Sequence, residues 1–285
     1  MPSFGLQMPS FTFPDEPRER MFDRIAETAL ASEEAGFDSF WVMDHYHQIP
    51  NVGRETEPML EAYTLLGGVA ARTSRIMLGA LVTGVTYRNP AFLAKVVTTL
   101  DVVSGGRAIL GIGAAWNERE SRAYGYDWPS TSERFERLED ALRICRGMFT
   151  QDRTTVRGRR HHVDGAVNVP QPLQAGGPRI LIGGGGERKT LRLTAEHADM
   201  WNGFGDPGTI RHKLDVLEAH CRDVGRDPAE IETTRLGTPI TDPAIVETSK
   251  GFFDVGLGGM IFGAAGATPE RVAEAAGRVV RAFGS

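Results

Sequence analysis

The residues of this chain best suited to chemistry are few, and most stand where an apolar run gives way to glycine or charge. Asp44-His45-Tyr46-His47 follows the aromatic and apolar run 37–43. An imidazole titrates near neutrality, so His45, with Asp44 and His47 beside it, could act as a general acid or base. Metal ligation and a plain structural histidine are the other readings of the same residues. No third well-spaced ligand accompanies them, so no metal site is expected. Four consecutive glycines, Gly183 to Gly186, lie between the apolar run 179–182 and a helical pattern beginning at Glu187. Without Cβ atoms this backbone can approach a ligand closely. The unpaired N–H groups of the following helix favour an anion, with Lys189 or Thr190 at hand. The pattern predicts a phosphate-holding turn, though not a P-loop, because Arg188 precedes Lys189-Thr190 where that motif needs glycine. Gly111-Ile112-Gly113 and Thr83-Gly84-Val85 say less, since each also reads as a softened strand end or a bulge. Neither a Gly-x-Ser-x-Gly elbow nor a paired-carboxylate pattern occurs.

Composition narrows what could position these groups. Hydrophobic residues make 41% and charged residues 24%, the balance of an ordinary folded protein rather than a disordered chain. A net charge of −5 offers no basic face for charge-driven nucleic-acid binding. No apolar run reaches the ~18 residues of a membrane span. The start Met1-Pro2-Ser3-Phe4-Gly5 lacks a leader's basic patch and hydrophobic core, so a soluble cytoplasmic protein is expected. Cys145 and Cys221 are the only cysteines and lie far apart, which excludes a disulfide framework and a cysteine metal site.

Short apolar runs at 4–7, 37–43, 75–83, 107–112, 179–182, 200–201, 231–239 and 257–262 alternate with segments of helical period. Asn89-Pro90, Asp206-Pro207, Asp242-Pro243 and Thr268-Pro269 each predict a capped helix start. Strict alternation calls for parallel strands joined by right-handed crossovers. The expected fold is α/β, a (β/α)8 TIM barrel formed by residues 1–285 as one domain. A hairpin-like insertion at about 151–178 separates the fourth helix from the fifth strand. The rival, an open doubly wound sheet, would want a dinucleotide fingerprint after its first strand, and Gln7-Met8-Pro9-Ser10 offers none. In such a barrel chemistry collects in the loops after the strands, which is where His45, Thr83, Gly113 and the glycine run all fall. The basic hairpin 154–163 starts from the opposite face and reads as solvated.

Taken in order, several stretches resemble the bacterial-luciferase-like flavin and deazaflavin oxidoreductases, and above all their coenzyme F420-dependent branch. They are Asp44-His45, then Leu81-Val82-Thr83-Gly84-Val85-Thr86-Tyr87-Arg88-Asn89-Pro90, then Thr99-Leu100-Asp101-Val102-Val103-Ser104-Gly105-Gly106-Arg107. Gly111-Ile112-Gly113-Ala114-Ala115-Trp116-Asn117-Glu118 and Ile182-Gly183-Gly184-Gly185-Gly186-Glu187 extend the likeness, which runs from Phe4 to about Pro228. The resemblance implies a barrel, usually a homodimer, holding a flavin or deazaflavin at its C-terminal face. Thr83, Gly84 and Val85 fall where the family backs the tricyclic ring with a bulge, often with a cis non-proline peptide. Gly183, Gly184, Gly185, Gly186 and Thr190 match the phosphate position, and Gly113, Ala114 and Asn117 match cofactor contacts. His45 matches a residue near the reacting carbon, with Asp44 expected to orient it. Trp116 and Trp201 either wall the substrate pocket or belong to the core. Sugar-phosphate-oxidising members carry a glutamate just after the fourth-strand glycines, and Ala114-Ala115-Trp116 departs from that. The implied activity is hydride transfer between C5 of F420 and a small organic substrate. An FMN-dependent monooxygenase and a non-catalytic cofactor-binding protein are the alternatives.

Overall fold

A computed structural model describes residues 1–284. Eight parallel strands close into a barrel: β1 (Ser3–Met8), β2 (Ser39–Val42), β3 (Met77–Ala80), β4 (Ala108–Gly113), β5 (Arg179–Gly183), β6 (Met200–Gly203), β7 (Glu232–Pro239) and β8 (Gly259–Gly263). Each strand pairs with the next, and β8 returns to β1 with Ser3 opposite Gly259 and Gln7 opposite Gly263. Helices α1 (Met21–Glu34), α2 (Ala62–Ala70), α3 (Pro90–Ser104), α4 (Glu118–Ala123), α5 (Thr131–Thr150), α6 (Thr190–His197), α7 (Pro207–Val224), α8 (Ile245–Phe253) and α9 (Pro269–Phe283) lie between and after them. The alternation read from the sequence is thus the (β/α)8 barrel.

Side-chain alternation along each strand sorts the apolar residues into two layers. Trp41, Ile109, Leu181, Met200 and Ile261 point into the barrel and form a small buried cluster. Their neighbours Phe40, Leu110, Ile180, Trp201 and Phe262 belong to the larger core that includes the helices. Gly79 makes the inner layer possible, since a Cβ there would meet the Trp41 ring at 2.5 Å.

Asn89, Asp206 and Thr268 cap α3, α7 and α9 as their Asn/Asp/Thr-Pro pairs predict. Asp242-Pro243 does not open a helix. Its carboxylate closes a turn on the N–H of Ala244, and α8 starts at Ile245. Two differences bear on the site. The third strand is only four residues long, and after a break at Leu81-Val82 the pair Thr83–Gly84 rejoins β4. The helix after the glycine run begins at Thr190 rather than Glu187. Six-residue α4 is too short to show an apolar stripe and was not expected. In the insertion, Thr154–Arg157 and His162–Ala166 pair antiparallel. Asp140 of α5 anchors this ribbon by accepting from the N–H groups of Arg159, Arg160 and His161 at 3.1, 2.6 and 2.9 Å.

Candidate active site

A cavity of about 530 Å³ opens at the C-terminal ends of the strands, with walls supplied from β1 through β7 and from the start of α5. Its two ends are built differently.

At the β5 end, Gly183 and Gly184 line the cavity, while Gly185 and Gly186 are exposed beyond it. Gly184 has φ 126°, a conformation closed to ordinary L-residues. Its N–H donates to Asn202 O at 3.0 Å, and its carbonyl accepts from Trp201 Nε1 at 2.8 Å. Thr190, the first residue of α6, is buried and also lines the cavity. Thr131 and Arg134 of α5 face the same space, and Lys189 Nζ donates to Ser132 Oγ at 3.4 Å, joining the two helix starts. The loop Glu187-Arg188-Lys189 stands between the glycines and α6, so Thr190 reaches the cavity from the helix rather than from the turn.

One wall is the break in β3. The Leu81–Val82 peptide is cis, and Gln7 Nε2 donates to Leu81 O at 3.2 Å. Leu81, Val82 and Gly84 line the cavity, with Gly113 and Ala114 next to them. Thr83 and Val85, expected on this wall, are turned away from it because side chains alternate. The Thr83 hydroxyl is fully buried 2.7 Å from Tyr63 Oη, and Val85 packs in the helix-side core.

The β2 end centres on His45. Its Nδ1 is 2.7 Å from Glu120 Oε2, and Glu120 is fully buried. The same carboxylate accepts from Tyr87 Oη at 2.6 Å, from Asn117 Nδ2 at 3.2 Å, from the His47 N–H at 3.3 Å and from the Tyr46 N–H. Burial alone would push the Glu120 carboxyl up. The hydrogen bonds from His45 and Tyr87 and the backbone N–H of Tyr46 outweigh it and hold the group below the usual carboxylate range. An ionised carboxylate only accepts, so Nδ1 of His45 carries the hydrogen and Nε2 is left for the cavity. Burial, together with donation to Glu120, pushes the Tyr87 phenol far up, so it stays a donor.

Asp44 is not the partner of His45. It is buried in a forked ion pair with Arg88, at 2.5 and 3.0 Å, and Arg88 also reaches Glu61 at 2.6 Å. Consecutive strand-end residues point to opposite sides, which sends the two side chains apart. Asn117, unlike Asp44, does not line the cavity. It caps α4, accepting from the Glu120 N–H at 3.3 Å, and braces the carboxylate. Glu120 itself went unread in the sequence. The available signal was the N-cap spacing Asn117-x-x-Glu120 directly after the β4 glycines. Of the two tryptophans, Trp116 stands at the rim, 60% exposed, with its ring edge-on to His45 at 5.6 Å. Ala115 before it sits at φ 61°, a conformation few non-glycine residues adopt. Trp201 is fully buried on the helix side of β6 and is no pocket wall; it acts on the site through Gly184 O.

Fold and site together define a barrel whose mouth holds one cavity with a glycine turn at one end and the His45–Glu120 pair at the other. Residues 3–279 match the luciferase-like monooxygenase family, and the chain belongs to it. It is 36% identical over 212 residues to an F420-dependent glucose-6-phosphate dehydrogenase of Kineococcus radiotolerans, covering 74% of this chain and 62% of that protein. It is 31% identical over 237 residues to a phthiodiolone/phenolphthiodiolone dimycocerosates ketoreductase of Mycobacterium kansasii, with the same 74% and 62% coverage. The chain therefore spans less than two thirds of the length of these relatives. Among experimental structures, an F420-dependent secondary alcohol dehydrogenase holding an F420-acetone adduct superposes with a TM-score of 0.82. That match covers 99% of this chain and 98% of the other at 18% identity. A coenzyme F420-dependent tetrahydromethanopterin reductase of Methanopyrus kandleri gives 0.79, covering 99% of each chain at 16% identity. These two likenesses are of fold.

Proposed function

We propose that this protein is an F420-dependent oxidoreductase in which His45 gives or takes a proton as a hydride moves to or from a small organic substrate. The observation that carries this reading is the His45–Glu120 pair at 2.7 Å, facing a cavity whose other end is a glycine turn. The residues fit the cofactor. A Cβ on Gly183 would meet Val82 Cγ1 at 2.9 Å, and one on Gly186 would meet Thr190 Oγ1 at 2.9 Å, so a side chain at either position would crowd the cradle. Gly183 to Gly186 with Thr190 would hold the phosphate. Leu81, Val82, Gly84, Gly113 and Ala114 would back the ring, while Thr83, Val85 and Asn117 support that wall and the Glu120 carboxylate from behind. When bound, F420 supplies a hydride acceptor or donor at C5.

The chain's own part is proton handling and positioning. Glu120 fixes His45 with hydrogen on Nδ1, so Nε2 can accept a substrate proton. The carboxylate then compensates the imidazolium in a largely apolar surrounding, the physics of a Ser-His-Asp triad's acid–base pair. Tyr87 and Asn117 hold the carboxylate in place, and Asp44 with Arg88 braces the strand end behind His45. The described chain works in this reading as one domain and as a homodimer. Exposed Phe92 and Val103 flank a groove of about 420 Å³ between α2 and α3, which supports the dimer. No described helix is long and apolar enough to cross a membrane. The test is His45→Ala in steady-state turnover. A fall of about 10²- to 10⁴-fold with F420 affinity retained is expected. Full turnover in that variant would remove His45 from the mechanism.

A further inference from the structure

We infer that the tip of the basic hairpin, with the loop before α6, forms a second anion site that takes the carboxylates trailing from the cofactor's phosphate. This inference rests on the F420 reading above, because F420 carries a run of linked glutamates on the far side of its phosphate. It depends on where the hairpin ends rather than where it begins. The insertion leaves α5 at the end away from the cavity, and that helix of 20 residues is about 30 Å long. The ribbon then runs back along it. Asp140 bends the tip over by accepting from the N–H groups of Arg159, Arg160 and His161. Arg160 reaches Glu136 at 2.6 Å and Glu133 at 3.1 Å. Glu133 belongs to the first turn of α5, which also brings Thr131 and Arg134 to the main cavity. The tip therefore stands at the C-terminal face of the barrel.

A small cavity of about 90 Å³ lies where this tip meets α5 and α6. Phe135 lines both this space and the main cavity, so the two adjoin. Arg159 enters the small cavity from the hairpin and Lys189 from the loop after the glycines. The Lys189 ammonium lies over the Phe135 ring at 5.3 Å. Both cations are exposed, and neither forms an ion pair among the described residues. The carboxylates around them are already matched. Arg160 holds Glu136, Arg192 lies 3.6 Å from Glu139, and Glu187 is tied to Lys213 at 2.5 Å and His212 at 3.1 Å. Arg188, beside Lys189, is exposed and likewise unpaired among the described residues. Gly185 and Gly186 are exposed beyond the main cavity, so anions leaving a phosphate at that turn meet Arg188 and Lys189 before Arg159. Exposed pairs of this kind are individually weak and screened by salt, which makes the site a modest grip that salt should erase.

Equilibrium titration read by F420 fluorescence separates the tail from the rest of the cofactor. F420 carrying no, two or five glutamates would be compared at low salt and in about 0.5 M NaCl. At low salt the dissociation constant should fall by about 3- to 20-fold from no glutamate to five, each exposed pair giving about 1.5- to 5-fold. In high salt the gap should close to less than about twofold. Arg159→Gln should narrow the low-salt gap by about 1.5- to 5-fold and leave the form without glutamate unchanged, because Arg159 stands outside the main cavity. Arg159→Lys should restore the gap. Affinities indifferent to tail length, a gap that salt does not close, or a full gap in Arg159→Gln would each overturn the inference and leave the F420 reading standing. Failure of the unaltered protein to bind any of the three forms would instead overturn the F420 reading, and this inference with it.

Discussion

The two ends of the cavity solve their problems with different parts of the chain. At the β5 end the lining is mostly one local stretch, the bare backbone of Gly183 and Gly184 with Thr190 after them, joined by Thr131 and Arg134 of α5, and Trp201 steadies it from the next strand. At the β2 end the contacts are side chains gathered from three loops. His45 lies 75 positions from Glu120, and Tyr87 lies 33. A backbone site needs only the absence of Cβ atoms, so it is written as local composition. A side-chain hub needs the barrel to be closed before its members meet, so it is written nowhere in particular. Substitutions should separate along the same line: the glycine end governs binding and the histidine end governs turnover.

The largest effect should come from Glu120→Gln. The amide keeps the shape but loses the charge that sets His45 and compensates its proton. Turnover should drop by about 10²- to 10⁴-fold while F420 affinity holds. A variant with normal turnover would reduce Glu120 to a structural brace. Next comes Gly184→Val. Its φ of 126° strains any side chain. About 1–3 kcal/mol of strain should weaken F420 by roughly 10- to 100-fold, with turnover at saturation little changed. A fluorescence titration reads the first and saturating kinetics the second.

Acid stability gives a smaller test of the histidine end alone. Burial pushes the Glu120 carboxyl up, but its hydrogen bonds hold it below the usual range. Its folded value therefore lies below the unfolded one, near about 4.3. The stability it contributes is present above that pH and is lost as pH falls through the folded value. Urea denaturation at stepped pH should show a shallower acid limb in Glu120→Gln than in the wild type, and identical limbs would contradict the depressed carboxyl. The smallest effect belongs to Trp201→Phe. Losing the indole N–H to Gly184 O should cost about 0.5–1.5 kcal/mol in stability and weaken F420 by less than about tenfold. An unchanged melting temperature would mean that this bond does not steady the turn.

How much was readable follows from the same contrast. The barrel was legible because each βα unit repeats a local pattern, and Asn89, Asp206 and Thr268 mark their helix starts with side chains. The glycine turn was legible for the reason just given. His45 was found as a residue type at a strand end, but its partner was assigned to the neighbour in sequence. Alternation sends Asp44 to Arg88 instead, and the true partner sits on α4, a helix too short to announce itself. Of the wall expected at Thr83, Gly84 and Val85 only Gly84 lines the cavity, because the break at Leu81-Val82 puts those two residues there and turns the Thr83 side chain away to Tyr63. Trp201 stays open between pocket wall and core in the sequence because a two-residue apolar run does not say which face each residue takes, and pairing with β5 and β7 decides it for the core.

The most direct test is equilibrium titration with F420 and with FMN of the wild type, Gly184→Val and His45→Ala, side by side. A grip made by backbone and separate from the proton-handling group predicts that F420 binds more tightly than FMN. It also predicts that the Gly184 variant loses most of that affinity and the His45 variant keeps it. Tighter binding of FMN, or an F420 affinity that ignores Gly184 and falls with His45, would contradict it.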